Sequence, residues 1–283
     1  MSTARSPQPL RPQPSPPRPL PPQRVPEILV FDSGLGGLSI AASIHRQIPA
    51  ARLTHVADNA GFPYGNQPEA TVVDRTVSLV LEQLARRAFD VVVVACNTAS
   101  TVALPALRAA VDVPVVGVVP AIKPAAALSD SRRIGLLATP ATVKRPYLEQ
   151  LIRDFAADCA IERVGHPQLV SWIEDWARGR PLPEPALSVA LQPFRDAGVD
   201  TLVLGCTHYP LVREALQRLL PEVAHWVDSG DAIARRTGAL LEASGFQPGD
   251  LVRHKSSGHR CLFSGPVMAD IDPFLARLGF RQA

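Results

Sequence analysis

Two runs of β-branched and aliphatic residues, each ending at a cysteine, constrain this chain most. The first is VVVVACNTAS, Val91 to Ser100, and the second is TLVLGCTHYP, Thr201 to Pro210. Each begins just after an aspartate, Asp90 or Asp200, which lies six residues before its cysteine, Cys96 or Cys206. Consecutive apolar β-formers suit a strand buried on both faces, as in a parallel sheet covered by helices. A single cysteine is as readily a small buried hydrophobe as a reactive group. A matched pair with amide, hydroxyl and imidazole neighbours points instead to chemistry shared between two equivalent positions. Cys159 and Cys261 lack such neighbours and are read as packing residues.

The surrounding pattern is also duplicated. A strand over Ile28–Phe31 runs into DSGLGG and a helix from Leu38 to Gln47. Arg52–Ala57 is a second strand, and Asp58–Pro68 has the glycine, proline and asparagine content of a loop. Val73, Val77, Val80, Leu84 and Ala88 then mark one face of a helix. Strand Val91–Val94, a helix around Ser100–Ala110 and strand Pro114–Val119 follow. Near residue 130 the pattern restarts, with strands at Arg133 onward, Ala160–Val164 and Thr201–Leu204, and helices over Leu169–Ala177 and Pro185–Ala197. Matching features are offset by 106 residues at the first strand and 110 at the cysteines. Alternating strands and helices predict an α/β fold: two similar doubly wound, mainly parallel domains related by a pseudo-twofold. They would span residues 27–125 and 130–227, with 228–283 returning to complete the first, and the active site in the cleft between them. Ligands of such sheets bind beyond the carboxyl ends of the strands. Asp32, Ser33, Asp58, Cys96, Thr139 and Cys206 all fall at such ends.

Composition removes several function classes. The first 26 residues hold ten prolines, four arginines and no acid, and are expected to form a disordered tail outside the folded core. The net charge of +3 is inflated by that tail and gives no support for nucleic-acid binding. The four cysteines form no CxxC pair, which argues against a disulfide framework or a structural zinc site. No secretory signal or membrane-length apolar run is present, so a cytoplasmic protein with reduced thiols is expected. The three lysines, Lys123, Lys144 and Lys255, lie away from strand ends, so a Schiff-base cofactor finds no anchor. In DSGLGGLS, Ser39 stands where a dinucleotide fingerprint needs its third glycine, and no phosphate-loop motif occurs.

What remains is thiol chemistry. A thiol's ordinary pKa of about 8.5 lets a modest environment produce thiolate near neutrality. A helix starting after each cysteine strand would favour that anion. Two thiols on opposite sides of a small substrate form a matched acid and base, enough to invert a carbon stereocentre without a cofactor. His208, two residues past Cys206, is placed to hold a proton. Glu174, in LVSWIEDW, reads equally as a partner for His208 or as a solvated carboxylate. Asp32 reads as a cleft-facing carboxylate or a turn cap. Backbone donors at Gly34–Gly37 could hold a carboxylate. With Tyr64-Gly65, Asn97-Thr98 and Thr207-His208, they suit a small zwitterion or dicarboxylate.

FDSGLGGLS, DNAGFPYG, VVACNTAS, PVVGVVP, LGCTHYPL and VDSG, in this order across 27–265, resemble the glutamate racemases of the cofactor-independent aspartate/glutamate racemase superfamily. The resemblance implies interconversion of L- and D-glutamate, supplying D-glutamate for peptidoglycan in a bacterial cytoplasm. It implies Cys96 and Cys206 as the two acid/base residues. Asp32 would assist Cys96, and His208 and Glu174 would assist Cys206. Asp32-Ser33, Tyr64-Gly65, Asn97-Thr98 and Thr207-His208 match the family's substrate-binding pairs. Glu174 lies in a divergent segment, with Trp172 where smaller aliphatics are common. Homodimers are common in the family, in varying arrangements. Competing readings are an aspartate racemase or single-thiol relative, a scaffold docking through its proline-rich tail, and a hydrolase with zinc on Cys96, Cys206 and His208.

Overall fold

Strand burial follows directly from the apolar runs. A computed structural model describes residues 24–253 and 255–283, and within it Val91–Val94 and Thr201–Leu204 are completely covered strands. Among the described residues ten strands form: β1 (Glu27–Asp32), β2 (Arg52–Ala57), β3 (Val91–Val94), β4 (Val115–Gly117), β5 (Arg133–Ala138), β6 (Ala160–Gly165), β7 (Thr201–Leu204), β8 (His225–Val227), β9 (His259–Phe263) and β10 (Phe280–Gln282). They make two sheets, ordered β10-β9-β2-β1-β3-β4 and β6-β5-β7-β8. Every pairing is parallel.

The second sheet repeats the strand order of the first, β2-β1-β3-β4, and β9 and β10 extend the first at its β2 edge. The repeat extends to register. Phe31 pairs with Val94 and Leu137 pairs with Leu204, so each cysteine emerges two residues past the corresponding position. In each sheet the strand order reverses at the central pair, β1/β3 or β5/β7. That is where an open parallel sheet leaves a crevice for a ligand.

Alternate residues of each strand feed opposite faces. Ile28 and Val30 join Ile40, Ile44, Ile233 and Phe274 on one face of the first sheet. Leu29 and Phe31 join Tyr64, Val80 and Leu107 on the other. In the second sheet, Leu202 and Leu204 pack on Leu187, Leu191 and Phe194, while Val203 packs with Ile122, Ala125 and Leu148. Helix Gly230–Ala243 brings the C-terminal chain back across the first sheet.

The two landmark aspartates tie down neighbouring strands in the same way. Asp90 Oδ2 accepts the Glu27 amide at 2.8 Å, at the start of β1. Asp200 Oδ2 accepts the Ser131 amide at 2.6 Å, just before β5, and its Oδ1 accepts the Ser129 and Thr201 hydroxyls at 2.7 and 2.8 Å.

Some local expectations shift. Most of the proline-rich tail, residues 1–23, lies outside the described residues. Its last three residues are seated: Arg24 pairs with Asp90, and the Pro26 carbonyl accepts the Arg52 amide at 2.8 Å. Helix Glu69–Arg86 buries Val72, Thr76, Val80 and Gln83, a stripe turned from the one read on valines and leucines. Two of those four are polar, so a hydrophobic count could not find the face. The helix expected near Ser100 starts at Asn97 and breaks at Ala103, before Pro105.

Asp200→Ala should therefore cost about 1–3 kcal/mol at pH 7, the penalty for leaving the buried Ser129 and Thr201 hydroxyls without their acceptor. These hydrogen bonds hold the Asp200 carboxyl below its ordinary range against the opposing effect of burial. Its stabilisation is thus full above the unfolded value of about 3.9 and lost as pH falls through the lower folded one. Urea denaturation of both proteins from pH 7 downward checks this: the gap between their midpoints should close only in acid.

Candidate active site in the cleft between the sheets

Cys96 caps a helix. It precedes helix Asn97–Val102, and its Sγ accepts the Ala99 amide at 3.5 Å. The thiol donates to Ser33 Oγ at 3.7 Å. Ser33 in turn donates its amide to Asp32 Oδ1 at 2.7 Å. Burial pushes the Cys96 thiol well above its ordinary range, and the Asp32 carboxylate pushes the same way. Asp32 is itself raised by burial, against the nearby His208 and the Ser33 amide. The helix N-terminus therefore does not outweigh desolvation.

Cys206 has a different supporting group. No α-helix begins directly after it, contrary to the expectation of one at each thiol. A 3₁₀ turn over Tyr209–Val212 follows, with Pro210 in its first turn. The neighbour of the thiol is His208, whose Nδ1 lies 3.8 Å from Sγ. His208 Nε2 lies 2.7 Å from Glu174 Oε1, and both side chains are almost fully buried. Burial disfavours the imidazolium, but hydrogen bonds to Cys206 and Glu174 outweigh it and raise His208 well above its ordinary value. Glu174 comes from helix Leu169–Ala177, and its Oε1 also accepts the Leu35 amide at 2.7 Å. One backbone donor of the glycine-rich turn, the Leu35 amide, is thus taken by a carboxylate of the chain itself.

This contact explains the turn's composition. A Cβ on Gly34 would collide with Glu174 Oε1. On Gly36 it would collide with His208 Nδ1 and lie 2.7 Å from Thr207 Oγ1 and 2.8 Å from Asp32 Oδ2. The two halves meet here through further bonds: Thr207 Oγ1 to Asp32 Oδ2 at 3.1 Å, and Ser39 Oγ to the Thr207 carbonyl at 2.7 Å. Asn97 Nδ2 reaches Thr142 Oγ1 and the Gly205 carbonyl, each at 3.2 Å.

The cleft encloses about 510 Å³ of empty space, its open mouth included. Asp32, Ser33, Tyr64, Gly65, Cys96, Asn97, Thr98, Cys206, Thr207 and His208 all line it. Glu174 stands behind His208 and is not part of the wall. Asp58, the other strand-end acid, also stays out of the cleft. It accepts the Tyr64 hydroxyl at 2.5 Å and pairs with Arg75 through Nε at 2.6 Å and Nη2 at 2.5 Å. Phe62, Thr142 and His166 also line the cleft and were not singled out from sequence. Thr142 shares the Thr-rich turn after β5 with Thr139, which was; Phe62 and His166 lie in loops with no periodic signal.

The family profile described as Asp/Glu/Hydantoin racemase matches residues 28–237. The chain belongs to this family. It is 52% identical over 256 residues to the glutamate racemase of Shewanella loihica, covering 90% of this chain and 94% of that one. It is 44% identical over 258 residues to the glutamate racemase of Vibrio cholerae, with the same coverage. Among solved structures, Escherichia coli glutamate racemase, in complex with L-glutamate and the activator UDP-MurNAc-Ala, superposes with a TM-score of 0.84. That match has 44% identity and covers 92% of this chain and 97% of the other. Among the described residues of this racemase-family chain, no helix is long and apolar enough to cross a membrane.

Two outcomes follow for His208. Its imidazole should titrate above pH 6.5 in ¹⁵N NMR spectra. A raised folded value means that its stabilising contribution is full below about pH 6.5 and lost as pH rises through that folded value. In Gly36→Ala, where the added methyl displaces His208, the titration should move back towards 6.5.

Proposed function

We propose that this chain is a glutamate racemase that carries the Cα proton between Cys96 and Cys206. The observation that carries the reading is that both thiols line one cleft from the ends of equivalent strands, each with its own proton-handling partner. In the proposed reaction one sulfur, as thiolate, removes the Cα proton and leaves a carbanion beside the α-carboxylate. The other, as thiol, protonates the opposite face. The reverse direction exchanges the roles. Asp32 assists Cys96, and the His208–Glu174 pair assists Cys206. Ser33, Asn97, Thr98 and Thr207, with the backbone at Tyr64-Gly65, are the neutral, directional donors and acceptors for the substrate's ammonium and carboxylates. The D-glutamate product serves peptidoglycan synthesis. A reducing cytoplasm is the compartment this reading requires, and all four cysteines are free.

Cys96→Ser and Cys206→Ser should each lower racemisation by about 10²–10⁴-fold, the usual effect of losing a general acid or base. In D₂O the wild-type enzyme should place deuterium at Cα of the product enantiomer. The two variants should differ in which enantiomer's deprotonation they impair more. Wild-type rates in both serine variants would sink the proposal. Aspartate, one methylene shorter, should react roughly 10–200-fold less efficiently; kcat/KM on both amino acids measures this.

A further inference from the structure

The glycine-rich turn is held from below by a side chain that lies outside the cleft wall. His55 sits within β2 and is fully buried. Its Nε2 lies 3.0 Å from the Gly34 carbonyl oxygen. A carbonyl can only accept, so Nε2 carries the ring proton and donates it. Burial holds the ring's pKa at about 4, so the imidazole is neutral near pH 7. Its edge fits beneath Gly37, where a Cβ would lie 2.7 Å from His55 Cε1.

The Gly34 carbonyl belongs to the same peptide unit as the Leu35 amide, the group that donates to Glu174 Oε1. A continuous buried chain results. His55 Nε2–H binds Gly34 O, Leu35 N–H binds Glu174 Oε1, Glu174 Oε1 meets His208 Nε2, and His208 Nδ1 faces Cys206 Sγ. Donation to a peptide carbonyl polarises that peptide and strengthens its N–H as a donor, and such chains reinforce themselves in a low-dielectric interior.

We propose that His55 is a positioning residue for the Cys206 half of the site, fixing the Gly34–Leu35 peptide that aims Glu174 at His208. The inference rests on the racemase reading given above. It assigns His55 no contact with substrate. Its hydrogen bonds run through the Leu35 amide, Glu174 and His208 to Cys206, whereas Cys96 is held through the Ser33 and Asp32 side chains, which His55 does not bond.

The test compares wild type, His55→Leu and His55→Gln in D₂O, reading kcat and KM in both directions and deuterium at Cα of recovered substrate and product. Two enantiomers have equal free energy, so any loss in kcat/KM must be the same in both directions. The asymmetry therefore appears in exchange. His55→Leu should lower kcat on the order of tenfold, the effect of one hydrogen bond, with KM little changed. The enantiomer that gives its proton to Cys96 should then gain deuterium without inverting: with reprotonation from the Cys206 side slowed, the Cys96 thiol has time to exchange its proton for solvent deuterium and return that to the same face. The other enantiomer should not. Glutamine, which keeps an N–H donor, should restore both behaviours. A folded His55→Leu with wild-type kcat and symmetric exchange would overturn the proposal. So would a loss that tracks the thermal midpoint and is not restored by glutamine. In the wild type, ¹⁵N NMR should find the His55 proton on Nε2; a proton on Nδ1 overturns the proposal however the variants fold. A wild-type enzyme that exchanges no Cα proton with either enantiomer would defeat the racemase reading itself, and the tautomer measurement would still stand.

Discussion

One buried carboxylate, that of Glu174, holds the site together. It is carried by the half built on the second sheet, and it accepts from the Leu35 amide of the first half and meets His208 of its own. Removing one partner from a buried charged pair typically costs about 3–5 kcal/mol, because the other charge is left without compensation. Glu174 therefore helps to hold the two halves together, adds to the Cys206 contact in raising the proton affinity of His208, and accounts for the glycine at position 34. Gly34 and Gly36 are small because Glu174 and His208 occupy the space a side chain would need.

The two halves share strand order and register, so their cysteines reach the cleft from equivalent places. They differ in how a proton is managed. Cys96 sits at a helix N-terminus, but burial and the adjacent Asp32 raise its thiol. Cys206 has a 3₁₀ turn after it and, as neighbour, an imidazole of raised proton affinity. A duplicated backbone with unequal side chains suits a reaction that must run both ways through chemically distinct partners. In the proposed mechanism this difference lets one thiol be the acid while the other is the base.

Much of this was legible in the sequence, for definite reasons. Strands Val91–Val94 and Thr201–Leu204 were readable because double-sided burial leaves nearly uninterrupted apolar runs. The cleft residues were readable because parallel sheets present ligands at strand ends, and Asp32, Cys96 and Cys206 all lie there. The buried face of helix Glu69–Arg86 was not, since Thr76 and Gln83 are buried polar residues. Strands β8 and β10, three residues each, are too short to show a period. The helix expected after Cys206 was displaced by Pro210. His55 gave no signal at all. Its role depends on a carbonyl twenty-one residues earlier in the chain, a contact that only the β1–β2 pairing creates.

The central claim is that two equivalent strand ends present two sulfurs to opposite faces of one carbon. A crystal structure with glutamate bound tests it most directly. The account predicts Cys96 Sγ and Cys206 Sγ on opposite sides of Cα, each near the roughly 3–3.5 Å separation of a reacting pair, with His208 still bridging Cys206 and Glu174. Both sulfurs on the same face of Cα, or one displaced so that no direct proton transfer can reach it, would contradict the account.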